Sequence, residues 1–355
     1  MNLELLGWSN ELALSFVPFA DQGLQVGRVA LQHKQGYILY TQTGETSADV
    51  SGKLRHQAIS SEDLPCVGDW VAMHPEEPSA IIHNVLPRRT RLARKAAGAK
   101  TDIQLIATNI DSIFLLCGLD HDFNLRRIER YLIMISESGA TPVIVLNKVD
   151  LCEDLEQILL ELDAISLGVP VIQLSALHNQ GLDALASYLQ PGKTVALIGS
   201  SGVGKSTLTN RLMGQEIQAV QAVRTDDSRG RHTTTTRQLL SLPSGALLID
   251  TPGMRELQLW SASTGISTTF ADVEALATQC RFRDCQHQQE PGCAIQAALA
   301  DGDLDLKRLQ SYHKLQKEEA YLNRKQDHTA QLSAKAHWKQ MTKSMRQKHK
   351  GELHS

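Results

Sequence analysis

The sequence predicts a multidomain fold: a small N-terminal β-barrel, a central α/β domain with a parallel sheet, and a C-terminal α-helical module. Three observations predict it. Short runs rich in β-formers, punctuated by Gly, Asp and Pro, occupy the chain up to about residue 95. Buried-strand candidates then alternate with amphipathic helical stretches. Further on, three cysteines and a histidine cluster, and a broken apolar helical stripe runs into basic sequence.

At 355 residues the chain has room for two or three domains. Hydrophobic residues make up 42% and charged residues 21%, as in soluble globular proteins. The net charge of −3 gives no global basic field, so any nucleic-acid surface must be local. No apolar run approaches the length of a membrane span. The start, Met1-Asn2-Leu3-Glu4, lacks the positive region of a signal peptide, and Pro18 interrupts the mildly apolar stretch. Cys66, Cys117 and Cys152 are scattered, and the other three cysteines cluster late. That pattern suggests a reducing cytosol and a metal site rather than a disulfide framework.

In the N-terminal part, Gln25–Ala30, Gly36–Thr41 and Asp69–Met73 read as strands of an OB-like barrel. A small β domain of unspecified role is the alternative. Tyr37, Tyr40 and Trp70 are too few to signal base stacking strongly. Arg88, Arg89, Arg91, Arg94, Lys95 and Lys100 form a basic run. It is either a solvated linker or an edge that contacts phosphates.

The central domain opens with Ser112–Cys117, a buried-strand candidate. Leu125, Ile128, Leu132 and Ile135 follow helical spacing, with Asn124 as N-cap and Gly139 as terminator. Leu155, Ile158, Leu159, Leu162 and Ile165 repeat the pattern before Gly168 and Pro170. Later, Thr194–Ile198 reads as a strand leading into Gly199-Ser200-Ser201-Gly202-Val203-Gly204-Lys205-Ser206-Thr207, which fits G-x-x-x-x-G-K-[ST] at every fixed position. Such a loop turns backbone N–H groups toward phosphate oxygens and places them at a helix N-terminus. Lys205 would reach the β- and γ-phosphates and Ser206 would hold Mg²⁺.

The base is read elsewhere. Val143–Leu146 ends in Asn147-Lys148-Val149-Asp150, an N-K-x-D sequence whose Asp can accept two hydrogen bonds from guanine and none from adenine in that arrangement. Val171–Leu174 runs into Ser175-Ala176-Leu177, suited to backing the base. Ala246–Ile249 runs into Asp250-Thr251-Pro252-Gly253, the D-x-x-G of a GTPase switch, in which Asp250 would support Mg²⁺ and Gly253 is a further nucleotide-binding position. Between the P-loop and D-x-x-G, Arg231-His232-Thr233-Thr234-Thr235-Thr236 suggests the first switch, without fixing which Thr is used. An ordinary small GTPase presents the P-loop first; here N-K-V-D and S-A-L precede it. The domain is therefore expected to be circularly permuted, which a fold tolerates when its original termini lie close together.

Cys280-x4-Cys285-x-His287-x5-Cys293 supplies a closed Cys₃His donor set for one structural Zn²⁺, with no open catalytic position. From Asp303 a helical stripe of Leu304, Leu309, Tyr312, Leu315 and Leu322 follows. The tail from Arg324 onward is basic, which suits an RNA-phosphate role better than a purely solvated one once a barrel and a zinc module share the chain.

The motif order, the barrel before it and the cysteine module after it resemble the RsgA (YjeQ) family of small-ribosomal-subunit biogenesis GTPases. Val50–Arg55, Val67–Val71, Asp122–Tyr131 and Arg231–Thr235 carry further likeness. The resemblance implies an OB barrel over 1–96, a circularly permuted α/β P-loop GTPase domain over 97–262 and a zinc-binding α-helical domain with a basic tail over 263–355. It also implies a cytoplasmic GTPase, monomeric and unattached to membranes, that binds GTP or GDP and the immature small subunit through rRNA and leaves after hydrolysis. Met254 stands where Ras-like enzymes place a water-orienting Gln. His232 is the nearest titratable substitute, and the resemblance points to the same position; Lys205, Thr233 and Thr234 complete the expected catalytic group. A GTP-gated switch for a protein target, with zinc purely structural, is the alternative function.

Overall fold

The computed structural model describes residues 1–33, 36–95, 103–120, 123–214, 237–251, 263–288 and 290–324. Helix α1 (Asn10–Ala20) comes first, with the Ser9 hydroxyl accepting from the Leu12 N–H at its N-terminus. Pro18 lies inside this helix, two residues from its end.

Five strands then close a barrel: β1 (Gln25–His33), β2 (Gly36–Thr41), β3 (Gly44–Val50), β4 (Trp70–His74) and β5 (Ala80–Val85). They pair in the order β1-β2-β3-β5-β4, and β4 returns to β1. Only β3 and β5 run parallel within it. Helix α2 (Gly52–Gln57) connects β3 to β4, which completes an OB-like arrangement. Val29, Leu39, Val71, Met73 and Ile82 fill the interior, as inward positions of a small closed barrel must.

The basic run is not a linker. Strand β6 (Arg91–Lys95) pairs antiparallel with β7 (Ile103–Thr108), so this ribbon spans the 96/97 boundary. Arg88 turns inward. Its guanidinium lies 2.7 Å from the buried Asp69 carboxylate and donates to the carbonyls of Glu62 and Leu64. Arg89 pairs with Asp111 and Arg91 with Glu62, each at longer range. Arg88 therefore serves the fold, because a buried Asp69 needs a counter-charge more than solvent needs another arginine.

The central sheet comprises β8 (Ser112–Gly118), β9 (Thr141–Asn147), β10 (Val171–Gln173), β11 (Thr194–Gly199), β12 (Gln238–Ser241) and β13 (Leu247–Asp250). Their spatial order is β10-β9-β8-β11-β13-β12. All pairings are parallel except β12 with β13. Strands β8 and β11 are buried along their whole length, which is why they read as continuous apolar runs. Helices α3 (Leu125–Ser138), α4 (Leu155–Ser166) and α5 (Lys205–Met213) cover the sheet. Asn124 caps α3 by accepting from the Arg127 N–H, and Gly139 ends it at φ 79°.

Barrel and sheet are continuous, since β1 pairs with β12 at Leu31 and Gln238. Buried Arg28 of β1 reinforces the join by donating to Gly68 O, Asn109 O and Thr194 Oγ1. Burial lowers its pKa to about 10. The C-terminal part contributes α6 (Ser263–Thr269), α7 (Ala271–Ala277) and α8 (Ala294–Asp301), then a helical stretch over 306–324. Helix α6 lies so close to α3 that a Cβ on Gly265 would sit 2.6 Å from Ile133 O. Among the described residues no helix is long and apolar enough to cross a membrane.

Candidate nucleotide site and metal centre

Strand β11 ends at Gly199, where φ is 147° and an added Cβ would meet Leu116 O at 2.4 Å. Ser200, Ser201, Gly202 and Val203 turn the chain into α5, whose first residue is Lys205. Gly204 stands at the N-cap with φ 99°, and no side chain caps the helix. The first-turn N–H groups of α5, with Ser206 and Thr207, thus face the loop, the arrangement that suits phosphate. The Lys205 ammonium arches over the same loop, donating to Gly199 O at 2.8 Å and Ser200 O at 2.6 Å.

Asn147 ends β9 and is buried. Its Nδ2 donates to Val203 O at 2.7 Å, and its Oδ1 accepts from Ala176 N–H at 2.9 Å. One side chain thereby clips the P-loop and the Ser175-Ala176-Leu177 loop to N-K-V-D. A Cβ on Gly204 would fall 2.2 Å from Asn147 Nδ2, so glycine is required there for a second reason. Lys148 adopts φ 66° and reaches Asp120 Oδ2 at 2.5 Å. Val149 and Asp150 form a short helical turn, and Asp150 Oδ2 lies 3.5 Å from His178 Nε2. Ser175 pairs with Gln180 in an isolated bridge, and Arg211 of α5 donates to Ala176 O and Leu177 O.

Asp250 closes β13 in register with Leu197, and Thr251 donates its hydroxyl to Leu197 O. The start of D-x-x-G therefore lies beside the P-loop strand. His232, Thr233, Thr234 and Gly253 fall outside the described residues, as does Met254. Sequence reasoning missed Asp120, His178 and Arg211. Only Asp120 carried a signal, an acid two residues beyond the end of a buried strand.

Helix α3 adjoins this site. Gly118, Asn124, Arg127, Tyr131, Ser200 and Val203 line a small cavity of about 10 Å³. The other side of α3 receives the C-terminal helices. Glu129, fully buried, accepts from Arg126 and from Arg308 at 2.9 Å, and from Ser311 at 2.8 Å. Arg308 also forks onto Asp272 at 2.7 Å and lies over the Phe270 ring. Arg130 pairs with Glu318.

Cys280, Cys285, His287 and Cys293 bring four ligand atoms within 4.8 Å of one another. Cys280 Sγ lies 3.9 Å from Cys293 Sγ and 3.5 Å from His287 Nδ1, and Cys293 Sγ lies 3.6 Å from that nitrogen. A tetrahedral centre with Zn–S of about 2.3 Å and Zn–N of about 2.0 Å sets S···S near ~3.8 Å and S···N near ~3.5 Å. The donor set fits zinc and is far too open for disulfides. Against the burial that would raise it, the Ala294 and Ile295 N–H groups hold the Cys280 thiol below its usual pKa. The backbone around the ligands is braced too: Gln296 donates to His287 O, and Glu290 accepts from the Gln286 and Gln288 N–H groups.

Comparison with known proteins supplies the remaining observations. The family model described as RsgA GTPase matches residues 85–260, and one described as 50S ribosome-binding GTPase matches 194–330. "Small ribosomal subunit biogenesis GTPase RsgA" of Opitutus terrae is 48% identical, over 98% of this chain and 97% of its own. "Small ribosomal subunit biogenesis GTPase RsgA 2" of Lactiplantibacillus plantarum is also 48% identical, over 98% and 99%. Among solved structures, YjeQ from Thermotoga maritima aligns with a TM-score of 0.62 at 28% identity, covering 84% of this chain and 99% of that one. YloQ, titled a circularly permuted GTPase, aligns at 0.57 with 24% identity, over 84% and 95%, and so speaks to the fold alone.

Proposed function

The chain belongs to the RsgA GTPase family, and from that premise we propose how its residues serve a GTP hydrolase of small ribosomal subunit biogenesis. Asn147 carries the reading. It joins N-K-V-D, the P-loop and S-A-L into one pocket although the chain order is permuted.

Within that pocket Asp150 accepts from guanine, Lys148 flanks the base, the Ser175-Ala176-Leu177 loop backs it, and the N–H groups of the P-loop meet the phosphates. Residues Gly199 to Thr207 cradle the phosphates, with Lys205 released from its carbonyls to the β- and γ-oxygens. Ser206 and Asp250 would hold Mg²⁺, which neutralises phosphate charge when bound. Gly253 and the switch residues Thr233 and Thr234 close on the γ-phosphate, and His232 orients water. Cys280, Cys285, His287 and Cys293 would hold one structural Zn²⁺, because four protein ligands leave no open position.

The family model named for 50S binding covers the P-loop half only, whereas the relatives matching nearly the full length name the small subunit. The partner proposed is therefore the small subunit, met through rRNA by the barrel, the C-terminal module and the basic tail. The protein acts in the cytoplasm as a monomer. Co-sedimentation with purified small and large subunits, in GTP and in GDP, tests this: retention by the small subunit in GTP is expected, and preference for the large subunit would overturn it.

A further inference from the structure

The cysteine module carries an exposed aromatic that its own stability does not explain. Of the six phenylalanines in the chain, Phe282 is the most exposed, at 44%. It lies between the first two metal-site cysteines, in Cys280-Arg281-Phe282-Arg283-Asp284-Cys285. Arg281 and Arg283 beside it are exposed, and neither guanidinium has a carboxylate partner among the described residues. The Arg281 guanidinium lies 5.6 Å from the Phe282 ring centroid.

The loop is held in shape from both ends. The Arg281 N–H donates to Gly292 O at 3.1 Å, and the Cys285 N–H donates to Phe282 O. Gly292, at φ 77°, packs so closely under Arg281 that a Cβ there would meet the arginine's Cβ at 3.1 Å. Phe282 is thus presented on a short loop between two ligand positions, with little conformational freedom to lose on binding. A lone exposed Phe is ordinary on a protein surface. A fixed one flanked by two exposed guanidinium groups is a stacking platform with phosphate contacts on either side.

We propose that Arg281-Phe282-Arg283 is a contact for single-stranded RNA, in which the Phe282 ring stacks on an unpaired base and the two guanidinium groups meet neighbouring phosphates. Two exposed positive charges select a polyanion over an apolar protein groove. The stacking face selects an unpaired base over a duplex, whose bases are already stacked. The inference rests on the reading of the chain as a small-subunit-binding protein and names one site within it.

The test uses the full-length protein and a fluorescent oligouridine, with a blunt RNA duplex as control, titrated over a range of salt. Phe282→Ala should weaken oligouridine binding about 5- to 100-fold with the salt slope unchanged. Phe282→Trp should restore it. The double variant Arg281→Ala/Arg283→Ala should lower the slope of log K against log[salt] by about 1.4, or ~0.7 per phosphate on a single strand. Duplex binding should respond little to Phe282→Ala. Zinc content near one equivalent in each variant shows that the module has kept its fold. Oligouridine affinity unchanged in Phe282→Ala, or a loss confined to intact subunits with RNA binding untouched, would overturn the proposal, the second outcome marking a protein contact. If the unsubstituted chain fails to bind small subunits, the broader reading fails; if it binds them and Phe282→Ala binds RNA equally well, only this site does.

Discussion

Arg308 Nη1 lies 2.9 Å from Glu129 Oε1, with 4% and 0% of the two side chains exposed. The pair joins the C-terminal helices to α3, the helix whose N-terminal end walls the cavity beside the P-loop. Burial pushes the Glu129 carboxyl above its usual pKa, against the Ser311 hydroxyl and the Arg126 and Arg308 guanidinium groups that oppose it. Arg308→Ala removes its strongest buried partner and should cost about 3–5 kcal/mol of stability. The unfolded chain loses the Glu129 proton at lower pH than the folded one, so stability from this group falls as pH rises between the two values. Removing Arg308 widens that gap, and the deficit should be larger near pH 8 than near pH 5. Denaturant melts at both pH values check this; an equal deficit would show that Glu129 charge is not the cause.

In the proposed function, base choice rests on Asp150. Asp150→Asn should weaken GTP binding and admit xanthosine triphosphate, whose C2 carbonyl accepts from the new amide. Competition binding with the two nucleotides and ATP measures it. ATP competing as well as GTP against the unsubstituted protein would sink the guanine assignment.

Asp120 positions Lys148 through a partly buried ion pair, worth about 1 kcal/mol on its own. Asp120→Ala should therefore loosen GTP and GDP by similar factors, at most about tenfold, because the γ-phosphate is not involved. A fluorescent-nucleotide titration distinguishes this from a larger loss restricted to GTP, which would place Asp120 at the reacting end instead.

The cysteine module should depend on its metal. Protein purified without added zinc should contain close to one equivalent. Chelation should unfold the loop that carries the ligands while the central sheet stays folded, since the described residues between Arg281 and Gly292 are mostly polar and exposed. Far-UV dichroism and limited proteolysis report it. A metal-free chain with an intact C-terminal module would count against a structural zinc.

The motifs were legible because each is local: Gly199 to Thr207, Asn147 to Asp150 and the cluster Cys280, Cys285, His287 and Cys293 need only their own spacing. Helices α3 and α4 were legible for the same reason, with Asn124 and Gly139 marking the ends of α3. Strand β3, Gly-Glu-Thr-Ser-Ala-Asp-Val, was not, because its side chains are largely polar and only its partners β2 and β5 hold it as a strand. Helix α1 was not anticipated; Pro18 lies two residues before its end and forgoes one helical hydrogen bond. Arg88 looked like solvated charge because its counter-ion, Asp69, lies nineteen residues away. Asn147 was legible as part of N-K-V-D, but the way it clips the P-loop to the Ser175-Ala176-Leu177 loop was not. No spacing rule reveals that, since Val203 and Ala176 are remote in the chain.

The most direct test of the account is GTP turnover measured with and without purified small ribosomal subunits, for the original protein and for His232→Ala. Met254 follows Asp250-Thr251-Pro252-Gly253 and offers no group to orient water, so the free protein should turn over on the order of 10⁻⁴ to 10⁻² per second. Small subunits should raise that rate by at least about a hundredfold, and His232→Ala should bind GTP and subunits nearly as well while losing most of the stimulation. A rate that small subunits leave unchanged, with subunit binding demonstrated in the same samples, would contradict the account.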